Sequence, residues 1–195
     1  MKTLVIATTN QGKFREIAAE LKPLAISLDS LSSFKGAPES PETGISFAEN
    51  AMQKADFYFD YLRTAVLAED SGLVIPSLDG FPGLHSARVA ATDSERIQTV
   101  LDRLRNREDR SAYYVCHIVV KTGTRLCVSE GTCHGRITSV PEGDQGFGYD
   151  PIFQPEGAVS TFGQMRLIEK SAYSHRGRAA RKLLPCLQQA IADEE

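Results

Sequence analysis

The chain has 195 residues, 42% hydrophobic and 24% charged, and its 22 Lys+Arg against 25 Asp+Glu give a formal charge of −3. That balance excludes a disordered chain, no apolar run approaches the roughly 20 residues of a membrane span, and near-neutrality argues against a dedicated nucleic-acid binder. The apolar run between Thr3 and Thr8 is too short for a leader and four cysteines make no dense disulfide framework, so the expectation is one cytoplasmic domain over residues 1–195.

Residues Thr3–Thr8 (TLVIAT) read as a short buried strand. Asn10 then caps a helix with Phe14, Ile17, Ala18 and Leu21 on one face and Pro23 just beyond its end. Leu24–Leu28 predicts a second strand, followed by a loop rich in Ser, Pro, Gly and Glu. Ser46 and Glu49 are spaced as a capping box for a second helix, whose inner face is Phe47, Ala51, Met52, Ala55, Phe59 and Leu62. Thr64–Ala68 predicts a strand that runs out into Glu69-Asp70-Ser71-Gly72. Thr92 and Glu95 cap a third helix with Ile97, Val100, Leu101 and Leu104 inward. Ala112–Lys121 and Arg125–Cys133 flank Thr122-Gly123-Thr124 as a hairpin. Ser174 opens a final helix bearing Ala180, Leu183, Leu184, Leu187 and Ile191 on one side. Alternating strands and helices plus a hairpin predict an α/β fold with a mixed sheet.

Charge is unevenly spread along the chain. Lys170, Arg176, Arg178, Arg181 and Lys182 lie in a stretch with no acid, and without those five the chain has 17 basic against 25 acidic residues. One cationic segment on an acidic body suits a small polyanion with a divalent metal better than it suits a nucleic acid, which needs a broad basic stripe.

Four segments could carry chemistry. Thr8-Thr9-Asn10-Gln11-Gly12-Lys13 joins strand to helix, where free first-turn amides make an anion site. Lys13 sits there against the helix dipole, a cost of roughly 0.3–1 kcal/mol that a bound phosphate would reverse; the plainer reading pairs it with Glu16. His175, Arg176 and Arg178 break the same rule at the final helix, with Lys170 on its approach; a contact with the acidic body is the plain alternative. Glu69 and Asp70 end a strand, so their carboxylates are expected at the rim of a sheet, where they could hold Mg²⁺ or activate a water. Glu39 and Glu42 are further carboxylates in the loop before the second helix. In Gly146-Phe147-Gly148-Tyr149-Asp150-Pro151, glycines allow close approach to a ligand, Phe147 and Tyr149 offer faces for a planar ring, and Asp150 offers an acceptor. Cys116-His117, Cys127 and Cys133-His134 lack zinc-site spacing, and with Cys186 they read as core and surface residues. No P-loop, nucleophile elbow or H-E-x-x-H is present.

Six blocks in order, ATTNQGKFREI at 7–17, ETGISFAENAMQKA at 42–55, AEDSGL at 68–73, PGLHSAR at 82–88, GFGYDPIF at 146–153 and EKSAYSHRGRA at 169–179, resemble the inosine triphosphate pyrophosphatase family. The resemblance implies an elongated mixed β-sheet with flanking helices, two lobes around an active-site cleft, and a homodimer. It implies Mg²⁺-dependent hydrolysis of ITP, dITP or XTP to the monophosphate and pyrophosphate. Position by position it assigns the triphosphate to Thr8, Thr9, Asn10, Gln11, Gly12 and Lys13, and a substrate contact to Ser71. Asp70 would be metal ligand and general base, with Glu42 the matching second carboxylate and Glu39 and Glu69 as alternatives. Phe147, Gly148, Tyr149 and Asp150 would hold the nucleoside, with Tyr149 or Phe147 stacked on the purine. Lys170, His175 and Arg176 would contact the base. His85, where the family more often has an aromatic such as Tyr, and Met165–Ile168 depart from the family pattern and bear on substrate preference. Rival readings are a septum-type pyrophosphatase, which lacks support because no Ser-Pro-Arg-Arg run follows the first strand, a silent nucleotide sensor, and an RNA-binding module.

Overall fold

The computed structural model describes residues 3–193; Met1 and Lys2, the start of the opening read as too short for a leader, lie outside the described residues. β1 (Thr3–Ile6) is apolar at every inward position because both its faces are covered. Leu4 and Ile6 pack with Ile17, Leu21 and Leu183, while Val5 and Ala7 pack with Ala51, Ala55 and Tyr58. The period of two along a strand therefore assigns alternate residues to different helices.

α1 (Gln11–Leu21) starts at Asn10, whose side-chain oxygen accepts hydrogen bonds from the amides of Gly12 and Lys13. The strand expected at Leu24–Leu28 begins later, as β2 (Ser27–Ser30). Pro23 sits in a 3₁₀ turn over Lys22–Leu24, and Ala25 is left-handed, so the chain extends only after that turn. α2 (Phe47–Leu62) is capped by Ser46, which accepts from the Glu49 amide, but Glu49 reaches back to the amide of Ile45, so only half of the box forms. Its buried stripe is Asn50, Ala51, Ala55 and Tyr58; Met52, Phe59 and Leu62 are partly buried beside it.

β3 (Val66–Val74) does not end at the acids but carries Glu69, Asp70, Ser71 and Gly72 in its middle. The expected rim position of the carboxylates is thereby corrected: both side chains are buried. α3 (Asp93–Arg103) has the full capping box of Thr92 and Glu95. β4 (Ser111–Lys121) and β5 (Leu126–Ile137) are sheet neighbours joined through four residues, a connection that only an antiparallel pair permits. β6 (Phe153–Pro155), α4 (Leu167–Tyr173) and α5 (His175–Ala192) complete the elements. The seven-residue α4 had no apolar period to announce it.

Among the described residues the six strands form one mixed sheet, ordered β2-β1-β3-β4-β5-β6. β2 and β3 run parallel to β1, and β6 runs antiparallel to β5. The chain divides into two compact units. The first holds the residues through Asp70, Cys116–Gly131 and those from Arg176 onward; the second holds Ser71–Val115 and Thr132–His175. Inside the first unit one core lies under α1 and α5 and another under α2. The second unit has its own core of Leu73, Ile75, Val100, Leu104, Tyr149, Phe153 and Phe162. Cys127 and Cys186, read from the sequence as separate core and surface residues, are joined as a disulfide between β5 and α5 with Cα atoms 6.0 Å apart. Their separation of 59 positions gave no sign of it.

Candidate active site

β3 turns its two acids to opposite sides. Leu67 packs into the core under α1 and α5, and Val66 and Ala68 pack under α2. By the same alternation Glu69 faces α1 and α5, and Asp70 faces α2.

On the first side Glu69 is buried among cations. Lys13 of α1 pairs with its Oε1, and the Arg176 guanidinium of α5 lies 3.5 Å from its Oε2. Arg176 also donates to Glu16 Oε2 at 2.5 Å. Burial works to raise the Glu69 carboxyl, but Lys13, Arg176 and Lys54 outweigh it and hold it well below the usual carboxylate range. Burial likewise works to lower the Arg176 pKa, and Glu16 and Glu69 hold it above the ordinary value. The two cations that break the dipole rule at the starts of α1 and α5 thus share one counter-anion. The expected pairing of Lys13 with Glu16 is replaced by this exchange of partners. The expected free amides are also partly taken: Asn10 Oδ1 accepts from Gly12 N at 2.8 Å and Lys13 N at 3.1 Å. An asparagine at that position folds its own oxygen onto the amides that an anion would otherwise reach.

On the second side Asn50 Nδ2 donates to Asp70 Oδ2 at 2.9 Å. Lys54, one turn further along α2, pairs with Glu42 Oε1 at 2.6 Å and donates to the Glu69 carbonyl at 3.2 Å. Burial raises the Asp70 carboxyl above its ordinary value, opposed by the Asn50 hydrogen bond and the Lys54 charge. Burial lowers the Lys54 ammonium, and Glu69 and Glu42 more than restore it. Glu39 is exposed and Glu69 is paired with Lys13 and Arg176, while Lys54, paired with Glu42, also feels the charge of Asp70.

The second unit holds the other predicted segment. Phe147 N donates to Asp150 Oδ2 at 2.9 Å, and Lys170 Nζ reaches the same oxygen at 2.5 Å. Lys170 Nζ stands 4.9 Å from the centroid of the half-buried Phe147 ring. Gly146 has φ +78°, and a side chain there would strike the Asp150 carboxylate, so this glycine makes room for a neighbouring side chain. Tyr149 turns inward: its ring is in the core and its hydroxyl donates to the Ser86 carbonyl at 2.8 Å. Burial pushes its phenol up to about 12. His175 lies flat on Tyr114, with ring centroids 4.5 Å apart and planes 7° from parallel.

The structure therefore brings Lys13 near Glu69, joins Asp70 to Asn50, and joins Asp150 to Lys170 and Phe147. Thr9, Asn10 and Gln11 are exposed at the start of α1, and Thr8 Oγ1 accepts from the Asn10 amide. Sequence reasoning missed Asn50 and Lys54, and it named Glu16 only as a partner for Lys13, not for Arg176. A polar residue at a core-facing helical position, such as Asn50 beside Ala51, was the available signal. Among the described residues no three His, Cys, Asp or Glu side chains converge as a metal cage.

Fold and polar cluster define the class, a mixed-sheet α/β protein with a carboxylate–lysine centre. The Ham1 family model matches residues 4–186, a span that contains all six sequence blocks, and the chain belongs to the Ham1 family. It is 42% identical over 199 aligned positions to a dITP/XTP pyrophosphatase from Parasynechococcus marenigrum, covering 100% of this chain and 99% of that one. A HAM1 protein from Coxiella burnetii superposes with a TM-score of 0.85 at 36% identity, covering 97% of this chain and 100% of that one. The Ham1 protein of Staphylococcus aureus gives 0.82 at 34% identity, with 100% of both chains covered.

Proposed function

We propose that this chain is a nucleoside-triphosphate pyrophosphatase. It hydrolyses ITP, dITP and XTP to the monophosphate and pyrophosphate and so removes non-standard purines from the nucleotide pool. The observation that carries this reading is the cluster of Asp70, Asn50, Lys54 and Glu42, in a chain similar along its length to a dITP/XTP pyrophosphatase. The proposal includes a cytoplasmic homodimer acting on small molecules, with neither nucleic acid nor membrane as partner; among the described residues no helix is long and apolar enough to cross a membrane.

Mg²⁺ fits the donor set. It takes one or two carboxylates together with phosphate oxygens and water, and Glu42 and Asp70 would supply two hard oxygen ligands; among the described residues no three such side chains form a metal cage. Glu42 and Asp70 would hold the ion, and it would supply positive charge against the charge that builds during displacement. Asp70 orients the attacking water and takes its proton on a carboxylate oxygen. A base whose pKa burial raises is better matched to that task than an exposed aspartate. Lys13 and Lys54 bring cations to the triphosphate, with Thr8, Thr9, Gln11 and the turn through Asn10 and Gly12 around the leaving pyrophosphate. Ser71 stays a substrate contact.

Base choice is assigned to the segment around Phe147. Phe147, half-buried, is the stacking face, because Tyr149 is spent in the core. Gly148 and Asp150 shape the turn below it. Inosine and xanthine present an oxygen at position six where adenine presents an amino group. Donors such as Lys170 and His175 would pair with that oxygen and be left unmatched by adenine. Arg176, engaged by Glu16 and Glu69, acts on this choice only if it leaves them.

Asp70→Asn tests the assignment of the base. Pyrophosphate release from ITP should fall about 10²–10⁴-fold while nucleotide affinity and fold are kept; undiminished turnover would remove Asp70 from that role.

A further inference from the structure

α2 presents three polar side chains to the loop that carries Glu42. Asn50 Oδ1 accepts from the Gly44 amide at 2.9 Å. Gln53 Oε1 accepts from Thr43 N at 3.2 Å and from its hydroxyl at 3.3 Å, and Lys54 pairs with Glu42. Positions 50, 53 and 54 are the i, i+3 and i+4 of one helical face, so a single face grips three consecutive loop residues. Asn50 differs from the other two, because its amide is used at both ends. Its oxygen holds the loop and its nitrogen holds Asp70 Oδ2. With a donor on one side and a carboxylate on the other, only one orientation of the amide satisfies both. Asn50 is 4% exposed, so neither bond is exchanged for bulk water. Gly44 is packed to match, since a Cβ there would come within 2.7 Å of Glu49 Cβ and 2.8 Å of Asn50 Oδ1.

We infer that Asn50 is a positioning residue of the reaction: it fixes the orientation of the Asp70 carboxylate and ties it to the loop bearing Glu42, so that both carboxylates present themselves to one divalent cation. The inference rests on the function proposed above. Asn50 touches neither substrate nor metal and acts through Asp70. Outer-shell partners of this kind are worth about 10–100-fold in metal affinity or activity.

The test uses Asn50→Ala and Asn50→Ser in the full chain, each assayed where circular dichroism shows it folded. Mn²⁺ is titrated into the nucleotide-free protein and followed by electron paramagnetic resonance, and ITP hydrolysis is followed beside it. Both variants should bind Mn²⁺ about 10-fold or more weakly, and their kcat should fall about 10–100-fold with KM changed less than about threefold. In an Asp70→Asn background the Asn50 substitutions should add nothing to the loss of Mn²⁺ affinity, which a general packing defect would not reproduce. Unchanged Mn²⁺ affinity in the folded variants, or losses that simply add to those of Asp70→Asn, would overturn the inference. A wild-type protein that binds Mn²⁺ but leaves ITP intact would instead refute the proposed function, and the Mn²⁺ titrations would still decide on Asn50.

Discussion

At the scale of single residues, Glu69 and Asp70 are chain neighbours with opposite energetics. Glu69 has Lys13 and Arg176 on its oxygens, and its carboxyl is held far down. Removing one partner from a buried ion network leaves the others uncompensated, at a cost of about 3–5 kcal/mol. Glu69→Gln should therefore lower the urea unfolding free energy by about 3 kcal/mol, whereas Asp70→Asn, which removes a carboxylate that burial disfavours, should leave it unchanged or higher. Equal destabilisation by both would contradict the division of roles across β3. Tyr149 gives a pH signature of the second unit. Its folded pKa is raised, so its contribution is complete below the unfolded value near 10 and is lost as pH rises towards about 12. Between those limits the stability difference between the wild type and Tyr149→Phe should shrink; a constant difference would mean the phenol is not held neutral by burial.

At the scale of elements, the helices with strong chemical signals were legible from sequence: Asn10 before α1 and Thr92 with Glu95 before α3 stand where the spacing put them. What stayed hidden depended on tertiary partners. β3 continues through Glu69 and Asp70 because distant cations and Asn50 satisfy acids that would otherwise end a buried strand. The turn at Lys22–Leu24 displaced β2, and α4 is too short to show a period. The tie between β5 and α5 was equally invisible. Cys127 and Cys186 close a loop over 59 positions, which chain-entropy arguments value at about 4 kcal/mol. Thiol titration in denaturant without reductant should find two free groups, Cys116 and Cys133, and Cys127→Ser should lower the melting temperature. Four titratable thiols with an unchanged melt on reduction would show that the pair does not form.

At the scale of the whole molecule, the sequence suggested an acidic body with a separate cationic segment, and the structure redistributes that charge. Lys170 is matched by Asp150, Arg176 by Glu16 and Glu69, and Arg181 by Glu20, while Lys182 donates to the Glu130 carbonyl. The partners Arg176 and Glu16 are 160 positions apart, a distance at which composition and periodicity carry no pairing information. Motif order identified the family and its residue types; which acid answers which base had to come from the fold. The central proposal is chemical: that the carboxylate–lysine centre hydrolyses non-standard purine triphosphates. The most direct measurement is pyrophosphate release with Mg²⁺ from ITP, dITP, XTP, GTP, ATP and dTTP in parallel. The first three should be turned over with kcat/KM about 10²-fold or more above the others, each yielding the monophosphate. Comparable rates from ATP or dTTP, or orthophosphate in place of pyrophosphate, would contradict the account.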